Sequence, residues 1–507
     1  MNFHSILFKN KIELIHEAPS FFVDLNLEQV VNTIIYGKEE YNLKPFFYTS
    51  LYDKDEIIYR QEIMKDIEST DLFNYIKRFT QSMQGMRQQL PNTKDFYCKY
   101  QKERFFLDAV NIYCDAIKSL NENLARANLK SSGFIAFREY LTNYIESINF
   151  TSLYNETKKL LADLSSIKYS VLTKDLKVQV VPFNSETDYS EEVEHTFDKF
   201  KREAEKDYRM KFEYTSFMNH VENAILEGVA TLYPEIFKNL DDYCLKHANY
   251  QDETINIFDR EIQFYIAYTE YVSKLKKAGL KFCYPKISNK SKDIYDYEAF
   301  DLALAYKLVK ENNPIVCNDF YLQDEERIII VSGPNQGGKT TFARTFGQLH
   351  YLAAIGCSVP GREAKLFLFD KLFTHFEKEE NLQNLRSKLE DDLVRIHDIL
   401  QQSTPNSIII MNEILSSTTL QDAIFLSKKI MEKITRLDVL CLWVSFIDEL
   451  LSLSEKTVSM VSTVVPEDPS IRTFKIERKP ADGLAYALSI AEKYHVTYNS
   501  LKTRIKS

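Results

Sequence analysis

Residues 327–345 read RIIIVSGPNQGGKTTFART, and the fold is decided there. Ile328, Ile329, Ile330 and Val331 form an unbroken β-branched run, the pattern of a strand covered on both faces. A glycine-rich turn follows, and a helix start with a lysine at the junction comes after it. Gly333, Gly338, Lys339 and Thr340 fit G-x-x-x-x-G-K-[ST], a loop whose backbone N–H groups and helix N-terminus face a chain of phosphates. In such a loop Lys339 reaches the β and γ phosphates, and the Thr340 hydroxyl binds the magnesium that bridges them. The bland alternative is a chance glycine turn before a helix. Strand, loop and helix in the required order argue against it.

The chain has 507 residues, more than the roughly 250–300 that one hydrophobic core serves, so two or more domains are expected. With 44% hydrophobic and 27% charged residues it has an ordinary globular composition. Lys and Arg number 64 against 73 Asp and Glu, a net charge of −9. No global basic character marks a nucleic-acid binder, so any such binding needs a local basic face. The seven cysteines are scattered without a C-x-x-C, which argues against zinc or a disulfide framework. The first residues lack the layout of a signal peptide and no run of 18 apolar residues occurs, so a cytoplasmic protein without membrane contact is expected.

Outward from the loop, the chain divides by pattern. Asn26 reads as a helix start packing Leu27, Val30 and Val31. From about 56 to 170 glycine is scarce, and Phe106, Val110, Tyr113, Ile117 and Leu120 recur at helical spacing, as do Phe137, Tyr140, Tyr144 and Ile148. These aromatic stripes could be base-stacking platforms, but stripes at helical period belong first to a core. Leu176, Val178 and Val180 suggest one short strand before the charge-mixed 186–211, read as a solvated linker and helix face. Helices resume at 215–245 and 253–278, the second closed by Gly279. Beyond 280, short β-rich runs at 281–287, after Asn312, and at 328–331, 366–369, 407–411 and 439–444 alternate with helical ones. That is the signature of an α/β sheet domain. The expected division is 1–280, a long-helix core and lever, and 281–507, the α/β domain.

Downstream of the loop, Ser407–Met411 is a second buried-strand pattern ending in Asn412-Glu413. Such a strand delivers one residue to the magnesium shell and a glutamate that orients the attacking water, which makes Glu413 the candidate base.

Ser332-Gly333-Pro334-Asn335-Gln336-Gly337-Gly338-Lys339-Thr340-Thr341 resembles the T-G-P-N-M-x-G-K-S-T loop of the MutS mismatch-repair ATPases, a branch of the ABC-type ATPases. Gly356-Cys357-Ser358-Val359-Pro360 is similar to that family's G-x-x-V-P, and Ile409–Ile414 to its L-V-L-M-D-E-I; the likeness also runs through Pro314–Asp319. It implies an ABC-type ATPase domain binding ATP and Mg2+ through Gly333, Pro334, Asn335, Gly337, Gly338, Lys339, Thr340 and Thr341, with Thr340 and Asn412 at the metal. A homodimer through that domain and double-stranded or branched DNA are the partners it implies. Leu385–Leu389 resembles the signature G-R-S-T-F, which makes Ser387 a candidate contact to a partner subunit's nucleotide. An exposed serine beside Glu390, Asp391 and Asp392 is the open alternative.

Departures from the family accumulate. Asn412 replaces an Asp, Phe446 a γ-phosphate-sensing histidine, and Ala354 a glutamine; Leu415–Thr419 replaces G-R-G-T-S. Slow ATP hydrolysis is therefore expected. Residues 480–486 and the amphipathic helix after them are similar to the family's tail and dimerisation helices, and two closing helices of a monomer are the open alternative. Roughly 330 residues precede the loop, too few for mismatch-reading and connector domains besides core and clamp. ATP-dependent clamping on DNA or another structured nucleic acid, without classical mismatch sensing, is the leading expectation. The rival is a nucleotide-gated scaffold with weak or no ATPase activity that engages a protein or ribosomal partner. A transporter would need an L-S-G-G-Q signature, which the sequence lacks.

Overall fold

A computed structural model describes residues 3–90, 98–174, 177–185, 196, 218–377, 388–480 and 496–505. In chain order the helices are α1 (Phe21–Asp24), α2 (Leu27–Ile35), α3 (Lys44–Tyr48), α4 (Lys54–Ile67), α5 (Thr70–Gln89), α6 (Lys99–Arg126), α7 (Ser132–Glu146), α8 (Ile148–Ser165), α9 (His220–Leu232), α10 (Pro234–Lys246), α11 (Glu253–Lys277), α12 (Leu302–Lys310), α13 (Lys339–Ala354), α14 (Lys388–Gln402), α15 (Leu420–Leu437) and α16 (Tyr498–Ile505). Contacts group the chain into two compact units, Met1–Phe3 with Thr70–Leu129 and Ile135–Asp259, and His4–Ser69 with Lys130–Phe134 and Arg260–Ser507. Composition changes near 280, whereas the contacts place His4–Ser69 with the residues of the loop.

In the first unit the aromatic stripes put Tyr113 and Phe137 in the core and leave Phe106, Tyr140 and Tyr144 half-buried. Tyr113, Phe137 and Phe258 are fully buried, and Phe137 stacks on Phe258 with centroids 3.6 Å apart and planes 9° from parallel. A base-stacking role for these rings is thereby excluded. The stripe breaks at Ile148, which is exposed: α7 ends at Glu146, and Ser147 caps α8 by accepting from Phe150 N at 3.2 Å. The strand expected near 176–180 is one arm of an antiparallel hairpin, β1 (Tyr169–Lys174) with β2 (Lys177–Pro182). The charge-mixed 186–211 lies outside the described residues apart from Thr196.

The second unit holds the loop. Its α2 buries Leu27, Val30, Val31, Ile34 and Ile35 on one face, although Asn26 enters it in the left-handed region (φ 55°) and makes no side-chain cap. The main sheet has the order β10 (Leu372–Phe376), β11 (Ile408–Asn412), β12 (Leu440–Val444), β7 (Ile328–Ser332), β13 (Thr457–Val465), β14 (Asp468–Arg478). Every pairing in it is parallel except β13 with β14. Every residue of β7, β11 and β12 is buried, as the unbroken apolar runs require. Ile328, Ile330, Ile409, Met411, Cys441 and Trp443 pack with residues of α14 and α15 on one face. On the other lies α13, close enough that a Cβ on Gly347 would sit 2.8 Å from Ile410 Cδ1. A smaller sheet, β4 (Lys286–Ser288), β9 (Glu363–Phe367), β5 (Ile294–Ala299) and β6 (Asn318–Leu322), accompanies it, with β3 (Phe282–Cys283) paired to β8 (Val359–Pro360). No helix among the described residues is long and apolar enough to cross a membrane.

Candidate nucleotide site

The parallel sheet brings the ends of β7, β11 and β12 together, so one edge collects the loop, Asn412-Glu413 and Ser445-Phe446. The loop turns out of β7 through Gly333 at φ 111°, Gln336 at 60° and Gly338 at 91°, and Gly338 is the N-cap of α13. Successive residues of this kind make a concavity lined by N–H groups at a helix N-terminus.

Lys339 is buried. Its Nζ donates to Gly333 O at 3.0 Å, Pro334 O at 3.1 Å and Asn335 Oδ1 at 3.3 Å, and lies 3.7 Å from Glu413 Oε1. Burial lowers the pKa of its amine, and the Glu413 carboxylate opposes that shift. The Pro334-Asn335 pair thus supplies acceptors that hold the lysine in place. Thr341 follows one residue further into α13, where its carbonyl accepts from Thr345 Oγ1 at 2.9 Å.

Thr340 Oγ1 donates to Asn412 Oδ1 at 3.0 Å, joining the first turn of α13 to the end of β11. Asn412 is buried there and offers a neutral amide oxygen. Glu413, next in the chain, is held in the left-handed region (φ 51°) and donates its N–H to Val444 O at 3.0 Å. Its side chain keeps 36% exposure, so it can reach both Lys339 and solvent. At the end of β12, Ser445 N donates to Val331 O at 3.0 Å, and Phe446 is exposed. An exposed phenyl ring offers no hydrogen bond to a phosphate. Ala354 ends α13, buried and far along the helix from the loop.

Ser387 and residues 481–486 lie outside the described residues. The neighbour of Ser387 is described: Lys388 opens α14 and pairs with Glu377, which also accepts from Ser416 Oγ at 3.2 Å. Lys388 holds the Glu377 carboxyl below the usual range. Three contributors escaped the sequence reading. Ser462 Oγ donates to Gly337 O at 2.7 Å, Arg472 Nε donates to Asn335 O at 3.2 Å, and Phe474 lies against Gly338. None sits in a motif, and only the sheet topology carries β13 and β14 to the loop.

The donors suit a nucleotide with magnesium: a nest of N–H groups, a buried ammonium, a hydroxyl, an amide oxygen and a carboxylate. Among the described residues no cluster of three or more His, Cys, Asp or Glu could hold a metal by itself. Magnesium, which keeps waters and takes phosphate oxygens, needs no such cluster. Thr340 and Asn412 would hold it, and it would supply positive charge to the phosphates.

Residues 329–501 match the family described as MutS domain V. The DNA mismatch repair protein MutS of Orientia tsutsugamushi (strain Boryong) is 32% identical over 195 residues, 38% of this chain and 22% of that protein. The protein of that name from Thermotoga petrophila is 25% identical over 274 residues, 53% of this chain and 33% of the relative. The one from Rickettsia massiliae is 32% identical over 177 residues, covering 32% and 20%. The chain therefore spans between a fifth and a third of the length of these relatives. The match begins within β7 and includes the loop, β11 and the β13–β14 ribbon, so it is this part of the chain that is similar to MutS domain V.

Proposed function

We propose that the chain is an ATP-binding clamp of the ABC type, dimerising through its ATPase domain (281–507) around nucleotide. Residues 1–280 would act as core and lever on double-stranded or branched DNA in the cytoplasm. The observation that carries this reading is the Thr340–Asn412 hydrogen bond with Lys339 beside Glu413, which gathers metal-site, phosphate-site and base candidates within one sheet edge. The matched relatives are named as DNA mismatch repair proteins, which supports DNA as the ligand class.

In this reading the N–H groups of the loop and Lys339 bind the β and γ phosphates, releasing the lysine from its own loop carbonyls. Glu413 orients the attacking water. Magnesium, when bound, supplies charge that neutralises the phosphates. Asn412 contributes no charge to its shell, and Phe446 contributes no donor to the γ phosphate, so hydrolysis is slow and the bound state long-lived. Ser387 contacts the nucleotide of a second copy. The rival, a scaffold gated by nucleotide and turning it over weakly or not at all, is favoured by those same two residues.

Size-exclusion chromatography with light scattering tests the reading, without ATP and with ATP and magnesium, alone and with duplex, branched and single-stranded DNA. ATP-dependent dimers that retain duplex or branched DNA are expected. ATP-dependent dimers that retain no nucleic acid at low salt would favour the scaffold, and a monomer under all conditions would contradict both.

A further inference from the structure

The phosphate loop is held from behind by the β13–β14 ribbon. Ser462 is fully buried, and the space between it and the loop is nil: a Cβ on Gly337 would lie 2.2 Å from Ser462 Oγ, and one on Gly333 2.8 Å from Ser462 O. These contacts explain why residues without side chains stand at 333 and 337. The register of the ribbon shifts between Ser462 and Val464, an irregularity of the kind that re-aims a side chain.

The Ser462 hydroxyl donates to Gly337 O at 2.7 Å. In a planar trans peptide the carbonyl and the following N–H point in opposite directions. Fixing the Gly337 carbonyl toward β13 therefore turns the Gly338 N–H away from β13, at the N-cap of α13 and one residue ahead of Lys339. Arg472 Nε on β14 donates to Asn335 O at 3.2 Å and does the same for the Gln336 N–H.

We infer that Ser462 is a positioning residue for nucleotide binding. Its hydroxyl sets the orientation of the Gly337–Gly338 peptide, so that the Gly338 N–H is presented to the β phosphate, and Arg472 provides the second anchor of the ribbon. This rests on the nucleotide-binding reading. Without Ser462 Oγ, the Gly337–Gly338 peptide is free to rotate, and part of the N–H nest is lost in the empty loop.

The test is competition by ATP and by AMP against a fluorescent ATP analogue, in the full chain and in Ser462→Ala, with melting of both proteins in the absence of nucleotide. Ser462→Ala should weaken ATP by about five- to tenfold, the size of one hydrogen bond, and change AMP by less than about twofold, since AMP has no β phosphate. A merely structural role would lower the melting temperature and leave the ratio of ATP to AMP affinity unchanged, which overturns the inference, as does wild-type ATP affinity in the variant. If Ser462→Ala fails to fold, Ser462→Cys, a weaker donor, should show a smaller loss with the same ATP selectivity. Failure of the unmodified chain to bind the analogue at all would instead bring down the nucleotide-binding reading itself.

Discussion

At the scale of single residues, the proposed magnesium site turns on whether position 412 carries a charge. Asn412 accepts from Thr340 with an amide oxygen, so geometry is kept and electrostatics is lost. Asn412→Asp should tighten magnesium binding by about tenfold, because a carboxylate adds charge where the metal would sit, or raise turnover correspondingly. Hydrolysis measured across a magnesium series checks this, and identical curves would mean that position 412 does not limit the site. A second residue gives a pH signature. Asp296 on β5 is fully buried with neither carboxylate oxygen hydrogen-bonded, and a Cβ on Gly361 would lie 2.2 Å from its Oδ1. Burial, aided by Asp319, pushes its carboxyl up to about 9 from an ordinary 3.8. Between those values the folded chain keeps a proton that the unfolded chain has released. Stability contributed by this group thus falls as pH rises, with a slope approaching about 1.4 kcal/mol per pH unit. Asp296→Asn should remove that slope, so the variant should gain on the parent in melting temperature between pH 5 and pH 8. Parallel curves would contradict the assignment.

At the scale of elements, legibility followed how much a motif dictates its own backbone. The loop was readable because its glycines at 333 and 338 stand at positive φ in front of a buried strand and a helix. The strands β7, β11 and β12 were readable because both faces are covered. The β13–β14 ribbon was not: Ser462 is one serine in TVSMVSTVV, and its importance comes from a crossover that sets β13 beside β7. Strand β1 escaped because Val171 and Leu172 are adjacent and both exposed, which breaks alternation. Ile148 misled because its spacing continued a stripe across the Ser147 cap. The turn after β11 shows a cost of departing from the family pattern. Leu415, in place of a glycine, is fully buried in the left-handed region at φ 61°. Leu415→Gly relieves about 1–3 kcal/mol of strain and forfeits about 2–5 kcal/mol of core packing. Urea unfolding should therefore show net destabilisation of about 2 kcal/mol; a more stable variant would mean that strain outweighs packing here.

At the scale of the whole molecule, the net charge of −9 confines any attraction for DNA to a local patch, and Tyr113 and Phe137 of the aromatic stripes are core and not available to wedge between bases. Binding to DNA should fall steeply with salt and should not distinguish a mispair. At fixed salt, affinities for a perfect duplex and for one carrying a single mispair should agree. A preference of about tenfold, roughly 1.4 kcal/mol, would reveal an inserted wedge. All of this depends on the loop binding a nucleotide. Equilibrium titration of the full chain with ATP and magnesium, beside Lys339→Ala, tests that claim most directly, since the substitution deletes the one buried cation of the loop. The account predicts saturable binding in the parent and none in a folded Lys339→Ala variant; equal affinity in the two would contradict it.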